Sequence, residues 1–177
     1  MPKISDGLLT GFDQEMLSTH RLLECLPDDR LDFKPHPRSM ALDVLAGHVA
    51  QLPKWAHYAI ERDSLDIAPA DGPPQAVRFV AGSRDEALAR FHIVSKEARE
   101  LIAEVSDEDL EKPWSLLFTG RTVFSMPRAE VLRTWFLNHM IHHRAQLGVY
   151  LRLLDIPIPG MYGPSADTQA QLRAQLQ

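Results

Sequence analysis

Apolar side chains recur at three- and four-residue steps along four long stretches of the chain, a spacing typical of helices that bury one face. The four stretches cover about residues 6–26, 39–63, 83–105 and 127–154. Ser39 is a suitable cap for the second stretch, in which Pro53 predicts a bend. The third stretch opens with the capping-box pattern Ser-Arg-Asp-Glu at residues 83–86. The pattern therefore predicts four helices.

The segments that join these stretches are rich in proline and glycine, which interrupt helices and favour loops. They cover residues 27–38, 64–82 and 155–164. Residues 106–126 have a mixed pattern that includes Gly120 and the β-prone pair Val123-Phe124, and we expect irregular structure there. Because no alternating strand pattern competes with the helices, the sequence predicts an all-α fold, an antiparallel four-helix bundle with long crossover loops.

The length and the charge of the chain limit its organisation and its partners. The 177 residues correspond to one domain, at roughly 150 residues per domain. We assign residues 1–164 to a single four-helix bundle domain and the weakly amphipathic residues 165–177 to a C-terminal tail. The net charge is −5 and no basic block is present, so a small molecule is a more natural partner than nucleic acid.

The sequence also gives no indication of export or of membrane insertion. Residues 1–7 lack a basic start followed by an apolar run, and no stretch reaches the roughly 18 apolar residues of a membrane span. Cys25 is the only cysteine, so the chain cannot form an internal disulfide. We therefore expect a cytoplasmic protein without a membrane partner.

The segment 138–147, Asn-His-Met-Ile-His-His-Arg-Ala-Gln-Leu, carries the clearest candidate chemistry. At 100° per residue, His139 and His143 lie about 40° apart on one helix face, one turn from each other. This spacing lets two imidazoles reach one metal ion. The same face carries apolar side chains, so the pair is expected to point into the bundle. His142 lies about 100° away from His143 around the helix and is the less natural partner.

A third ligand is needed, because two histidines alone make a weak site. His48 is the best candidate, since it shares an apolar stripe of the second helix with Leu45 and Trp55. A single histidine on an apolar face is also commonly a core histidine with satisfied hydrogen bonds, and for His48 this alternative stays open. Three inward imidazoles would each need a hydrogen bond or a metal to offset burial. The sequence therefore predicts a metal site at His48, His139 and His143.

Other reaction classes lack their motifs in this chain. Met140 stands where a zinc protease of the HExxH type needs a general-base glutamate, and no glutamate is followed three residues later by histidine, as di-iron bundles require. The patterns G-x-S-x-G, G-x-x-x-x-G-K-[ST] and G-x-G-x-x-G are absent, so serine-hydrolase, P-loop and dinucleotide-binding functions have no support. An all-nitrogen triad remains, with no further cofactor-binding residue and no catalytic residue assigned.

Three neutral imidazoles would leave a divalent ion with its full charge and at least one open position. Such an ion lowers the pKa of bound water towards about 7, which serves hydrolysis, or deprotonates a bound thiol, which serves transfer to an electrophile. Cys25 is a poor candidate for that thiol, because a small buried hydrophobe is its ordinary role. Arg144 is expected to form an ion pair, at the surface or between helices, rather than to anchor a substrate. Gln146 suits either a hydrogen bond to a ligand imidazole or a plain helix position.

Three parts of the chain together resemble the DinB family. They are Gly47-His48 on an early helix, the segment 138–147, and residues 159–167 with the sequence Pro-Gly-Met-Tyr-Gly-Pro-Ser-Ala-Asp. The match in helix order spans nearly the whole chain, with Ala145 where glycine is frequent in the family. The resemblance implies a DinB/YfiT-like four-helix bundle, commonly dimeric, in which His48, His139 and His143 hold a divalent metal.

Several members of the wider superfamily resemble metal-dependent enzymes that use low-molecular-weight thiols as S-transferases or isomerases. The leading hypothesis from this resemblance is a divalent-metal-binding protein, expected as a homodimer, that activates a thiol for S-transferase-like chemistry on a small molecule. A non-catalytic metal-binding or stress-response protein and a metal-hydroxide hydrolase are the alternatives. Imidazole suits zinc, nickel and iron alike, so the sequence leaves the identity of the metal open.

Overall fold

The computed structural model describes residues 3–175 of the chain. In chain order the elements are α1 (Ile4–Leu23), α2 (Leu42–Gln51), α3 (Trp55–Glu61), β1 (Ser64–Asp66), α4 (Arg84–Glu104), α5 (Asp107–Glu111), β2 (Pro113–Phe118), β3 (Arg121–Pro127), α6 (Arg128–Val131), α7 (His139–Leu153) and α8 (Ala166–Gln175). A 3-10 turn at Leu52–Lys54 joins α2 to α3, and a π-helical segment at Leu132–Asn138 joins α6 to α7. Each of the four predicted stretches is therefore helical over most of its length.

Local sequence signals account for where these helices bend and begin. Pro53 lies in the 3-10 turn, which confirms the predicted bend, because proline cannot donate a helical hydrogen bond. At the start of α4, the Ser83 hydroxyl accepts a hydrogen bond from the Glu86 amide at 3.1 Å. The Glu86 carboxylate in turn accepts from the Gly82 amide at 2.9 Å. The predicted Ser83 cap is confirmed, and it satisfies an amide that the helix itself leaves unpaired. The predicted Ser39 cap is wrong, because α2 begins after Ala41 without a side-chain cap.

The all-α prediction is wrong, because segments expected to be loop or irregular form a three-stranded mixed sheet. The strands β2 and β3 make an antiparallel hairpin, and β1 runs parallel to β2. The hairpin turn is Thr119-Gly120, with φ of 50° and 76°, a backbone twist that tight hairpin turns require. The fold class is therefore α+β, and an antiparallel four-helix bundle with long crossover loops does not describe it.

The sheet is stabilised by an alternating set of side chains that it buries against the helices. Trp114 and Leu116 on β2 are buried, while their neighbours along the strand are more exposed. The Trp114 indole N–H donates to the Tyr58 carbonyl at 2.8 Å, which joins β2 to α3. This period-two pattern covers only the 6 residues of β2, so it is weak beside helices such as the 21-residue α4.

Gly47 on α2 marks a close approach of the loop 67–83 to this helix. A Cβ at this position would lie 2.3 Å from the Phe79 carbonyl oxygen and 2.9 Å from the Ala81 amide nitrogen. The Ala81 amide donates to the Asp43 carbonyl at 3.2 Å, again on α2. The loop 67–83 is thereby fixed against the helix that carries His48.

A buried ion pair ties α1 to α7 and to the segment that follows α7. Arg144 is 2% exposed, and its guanidinium lies 2.7 Å from the Glu15 carboxylate. The Tyr162 hydroxyl donates to the same carboxylate at 2.8 Å and accepts from Arg144 Nη2 at 2.7 Å. Of the two kinds of ion pair expected for Arg144, at the surface or between helices, the one between helices is observed.

The predicted tail, residues 165–177, contains α8, of which no side chain is buried within the described range. Asp167 near its start accepts from the Ile158 amide at 3.0 Å and pairs with Arg152. The ends of the predicted domain and tail, residues 1–2 and 176–177, lie outside the described residues, and the boundary after residue 164 stays a prediction. Among residues 3–175, no helix combines the length and the apolar character that crossing a membrane requires.

Candidate metal centre

The three histidines predicted as ligands come together where α2 faces α7. His48 lies in the last turn of α2, His139 is the first residue of α7, and His143 follows one turn later. All three side chains are half-buried. The ring centroid of His48 lies 4.5 Å from that of His143 and 5.1 Å from that of His139, and the latter two centroids are 4.7 Å apart. The three rings thus form one compact cluster.

The ring nitrogens of this cluster point at a common centre. His139 Nε2 lies 2.9 Å from His143 Nε2 and 3.4 Å from His48 Nε2. One ligand atom from each ring lies within 4.8 Å of the other two. Two nitrogens that are each about 2.1 Å from one ion lie about 3.0 Å apart at a right angle and about 3.4 Å apart at a tetrahedral angle. The observed separations therefore suit a shared metal ion.

Hydrogen bonds to the outer nitrogens fix the tautomers of two rings. His139 Nδ1 donates to the Trp135 carbonyl at 3.2 Å, and His143 Nδ1 donates to Gln146 Oε1 at 2.7 Å. Because a neutral imidazole carries one proton, each Nε2 then presents a lone pair to the common centre. Two lone pairs at this separation repel each other unless a proton or a cation lies between them. The donor set therefore fits a divalent metal, with Trp135 and Gln146 orienting its ligands.

Gln146 also hydrogen-bonds to His142, the fourth histidine of this region. Its side-chain amide donates to His142 Nε2 at 3.1 Å while its oxygen faces His143. His142 is exposed and is not one of the three converging ligands. Of the two roles that the sequence left open for Gln146, the hydrogen bond to a candidate ligand is the one observed.

The π-helical segment directly precedes His139 and supports its orientation. Trp135, within this segment, supplies the accepting carbonyl, and its indole packs at 6.4 Å from the His139 ring. The Trp55 indole packs at the same distance from another side. Wide helical turns of this kind recur at functional sites. Aromatic packing and one hydrogen bond together hold the His139 ring in place.

Burial and mutual proximity disfavour protonation of all three rings. The pKa of His48 is lowered from 6.5 to about 4, first by burial and then by the positive charges of protonated His143 and His139 and of Arg78. The pKa values of His139 and His143 are also lowered, chiefly by burial. The imidazoles are therefore neutral near pH 7, the form in which they bind metals.

A cavity of about 200 Å³ opens onto this cluster and is lined in part by His48 and His139. Its remaining walls come from the end of α2, the 3-10 turn, α3 and the loop 67–83, including Lys54, Tyr58 and Arg78. No Asp or Glu of the described chain lines it. Sequence reasoning missed these wall residues, because nothing in the proline- and glycine-rich loop indicates that it folds back over α2.

Cys25 is half-buried, rather than buried as expected, and is not part of the histidine cluster. Its thiol donates to the Arg21 carbonyl at 3.4 Å. Burial raises the pKa of the thiol, so the reactive thiolate form is disfavoured at pH 7. Cys25 is therefore a poor nucleophile in this structure.

Comparisons with known proteins agree with the motifs and the fold. The model of the DinB family matches residues 1–174. The uncharacterized protein YrdA of Bacillus subtilis (strain 168) is 28% identical over 171 residues, which cover 94% of this chain and 92% of YrdA.

Two solved structures share the architecture. A DinB-like protein from Bacillus cereus ATCC 10987 matches with a TM-score of 0.68 at 25% identity, over 89% of this chain and 97% of the other. The DinB-like protein YjoA of Bacillus subtilis matches in fold with a TM-score of 0.63 at 15% identity, over 88% of this chain and 97% of the other. From its sequence and its fold together, the chain belongs to the DinB family.

Proposed function

We propose that this chain binds one divalent metal ion through His48, His139 and His143 and acts as an enzyme that activates a thiol for transfer to a small electrophile. The observation that carries the proposal is the convergence of three imidazole nitrogens beside an open cavity. Family membership and the tautomers of two of the rings support the metal half of the proposal.

The contacts of the chain's own residues give each of them a role. The three Nε2 atoms would hold the ion, while Trp135 and Gln146 keep two of the rings in the orientation and tautomer that binding requires. A bound divalent ion supplies a Lewis acid that favours a thiolate over its thiol. The cavity admits a small molecule to the same point.

The walls of the cavity favour thiol chemistry over hydrolysis. Hydrolysis by a metal hydroxide gains from a side chain that carries protons, and no carboxylate of the described residues lines this cavity. Lys54 and Arg78 do line it, and positive charge favours a thiolate. The thiol-transfer proposal therefore ranks above the hydrolase alternative.

Metal binding, the first part of the proposal, is tested by elemental analysis of the purified chain and of single variants. His48→Ala, His139→Ala and His143→Ala are each expected to lose most of the bound metal, because two imidazoles hold an ion weakly. His142→Ala, adjacent to the cluster but outside it, and His92→Ala, exposed on α4, are the matched controls and are expected to keep it. Full metal content in any one of the three variants would remove that residue from the site.

The thiol half is tested by conjugation of low-molecular-weight thiols to monobromobimane. In this reaction the sulfur forms a bond to the bimane carbon, bromide leaves, and the thiol proton goes to solvent. The metal-loaded chain is expected to accelerate the reaction for at least one thiol of a broad panel, and His139→Ala is expected to abolish the acceleration. Metal binding without acceleration for any thiol would favour a non-catalytic metal-binding or stress-response protein.

We also propose that two copies of the chain form a homodimer. An apolar groove of about 470 Å³ runs between α7 and the segment after it, where Val149, Leu153 and Tyr162 are more than half exposed. Exposed apolar surface of this kind commonly marks an interface. Sedimentation velocity is expected to give a dimer for the wild type and a monomer for Leu153→Glu. Ile93→Glu, an exposed apolar position on α4, is the control, and a monomeric wild type would contradict the proposal.

A further inference from the structure

We infer that the cleft beside the histidine cluster contains an oxyanion-binding site, formed by Lys54, Arg62, Arg78 and Arg90, for a carboxylate or phosphate group of the substrate. The inference rests on the proposed function, because it names the class of molecule that the same site would accept. It adds a group of positively charged side chains, separate from the imidazoles, that would bind the substrate's anionic group.

A second cavity of about 350 Å³ adjoins the cavity at the cluster. The two share the side chains of Gln51, Lys54, Tyr58 and Arg78 along their common wall. Arg62 and Arg90 line only the second cavity. The two arginines therefore lie one cavity away from the imidazoles, and the two adjoining cavities together are called the cleft.

Four cationic side chains converge on this cleft from different parts of the chain. Lys54 ends the 3-10 turn, Arg62 follows α3, Arg78 lies in the loop 67–83, and Arg90 lies on α4. The Arg62 guanidinium lies 5.3 Å from the centre of the Tyr58 ring, and that of Arg90 lies 5.9 Å from the Phe79 ring. Stacking on a ring orients a guanidinium while leaving its N–H groups free for a planar anion.

These four charges lack the acidic partners that the buried Arg128 and Arg144 have. None of them forms an ion pair with a carboxylate among residues 3–175, whereas Arg144 pairs with Glu15. Nε of Arg90 is buried without a hydrogen-bond partner. No described Asp or Glu lines either part of the cleft. An anion bound there would form charge-assisted hydrogen bonds with the half-buried Lys54 and Arg90 and with the exposed Arg62 and Arg78.

The loop that carries Arg78 is held in place, so the site is largely formed before binding. The Gln51 side-chain amide donates to the Val77 carbonyl, and Gln75 Oε1 accepts from the Asp66 amide at 3.2 Å. Preorganisation of this kind lowers the entropic cost of binding. The cleft thus suits a molecule whose reactive end reaches the imidazoles while its carboxylate or phosphate lies among the cations.

The test is isothermal titration of the metal-loaded full chain with four probes. They are 2-mercaptosuccinate, 2-mercaptoethanol, succinate and inorganic phosphate, which separate the thiol from the anion and the carboxylate from the phosphate. We expect 2-mercaptosuccinate to bind at least about tenfold more tightly than 2-mercaptoethanol. The preference is expected to fall about tenfold in the double variant Arg62→Gln/Arg78→Gln. Arg121→Gln, exposed beside the hairpin turn, is the matched control and should keep it.

Two results would overturn the inference: equal affinity for the two thiols, or a preference that the double variant and the control retain alike. The circular dichroism of each variant confirms that it is folded. Succinate and phosphate titrations of His139→Ala separate this inference from the proposed function. If anion binding persists in that variant and is lost in the arginine double variant, the oxyanion site is supported whether or not the chain binds metal. If metal binds and neither anion does, the proposed function survives and the oxyanion site is excluded.

Discussion

At the scale of single residues, Gly47 has the most direct steric requirement. Gly47→Ala would place a methyl group 2.3 Å from the Phe79 carbonyl, so the loop 67–83 must move away from α2. We expect a loss of about 1–3 kcal/mol in the free energy of unfolding, the range of overpacked core substitutions. Urea denaturation measures this loss, and elemental analysis shows whether metal binding at the adjacent His48 weakens as well.

Gly7→Ala is the matched control for this substitution. Gly7 is a helical glycine on α1, and a Cβ there would meet nothing within 4 Å. Alanine in a helix interior is favoured over glycine by roughly 0.5–1 kcal/mol, so this variant is expected to be more stable than the wild type. Equal destabilisation by both substitutions would mean that the close approach of the loop is not the cause.

His48 makes the stability of the metal-free chain depend on pH. Its pKa in the folded chain is about 4, below the 6.5 of an exposed histidine, so the unfolded chain binds more protons between these values. Stability is therefore expected to be full above about pH 6.5 and to fall as the pH drops to about 4, by on the order of 1–3 kcal/mol. The lowered pKa values of His139 and His143 act in the same direction.

Urea titrations of chelator-treated protein across this pH range measure the effect. His48→Gln is expected to flatten the dependence, whereas His92→Gln, on the exposed side of α4, should leave it unchanged. A wild type whose stability is constant down to pH 4 would show that the rings are protonated at little cost in the folded chain.

At the scale of elements, the buried ion pair between Glu15 and Arg144 joins α1 to α7. Glu15→Gln removes the charge opposite a guanidinium that is 2% exposed, and Tyr162 hydrogen-bonds to the same carboxylate. We expect a loss of about 3–5 kcal/mol in the free energy of unfolding, because one buried charge is left without its partner. Thermal and urea denaturation measure it.

Two further variants separate the buried charge from other causes. Asp13→Asn breaks the exposed ion pair between Asp13 on α1 and Arg99 on α4 and is expected to change stability little. The double variant Glu15→Gln/Arg144→Met removes both charges and is expected to recover much of the stability that Glu15→Gln loses. No recovery would mean that the carboxylate acts chiefly through Tyr162.

The elements also differ in how far the sequence predicts them. Helices with long apolar stripes and clear breakers, such as α1 before Pro27 and α2 before Pro53, were predictable from periodicity alone. The hairpin was not, since its buried Trp114 and Leu116 give only two periods of alternation and its Thr119-Gly120 turn is a weaker signal than Asn-Gly. Short strands depend on the helices that they pack against, and this information is not local.

At the scale of the whole molecule, a metal bound by α2 and α7 would brace two separate parts of the chain. A ligand that binds only the folded state stabilises it by about 2.7 kcal/mol at 100 times its Kd. For a chain of this size, chelation is then expected to lower Tm by about 5–10 °C while leaving the fold intact. Circular dichroism before and after treatment with a chelator tests this, with His139→Ala expected to show no shift. Complete unfolding on chelation would point to a structural metal.

The candidate site, like the sheet, could be predicted only in part from the sequence. His139 and His143 were found because helical spacing places them together, and His48 because its stripe faces the core. The cations of the cleft, such as Lys54 and Arg90, lie on separate elements with no common spacing. Only the folded path of the loop 67–83 brings them to one place.

The π-helical segment Leu132–Asn138 determines where a single residue can be deleted from this helix. A wide turn behaves as an α-helix with one extra residue, so deletion of a single residue within 132–138 should restore a regular helix and keep the flanking faces in phase. Deletion of Met140 instead would rotate everything that follows by about 100°, and His143 would leave the centre that His139 still faces. Metal analysis of the two shortened chains is expected to show a retained ion in the first and a lost one in the second, so this helix tolerates shortening only at its widened turn.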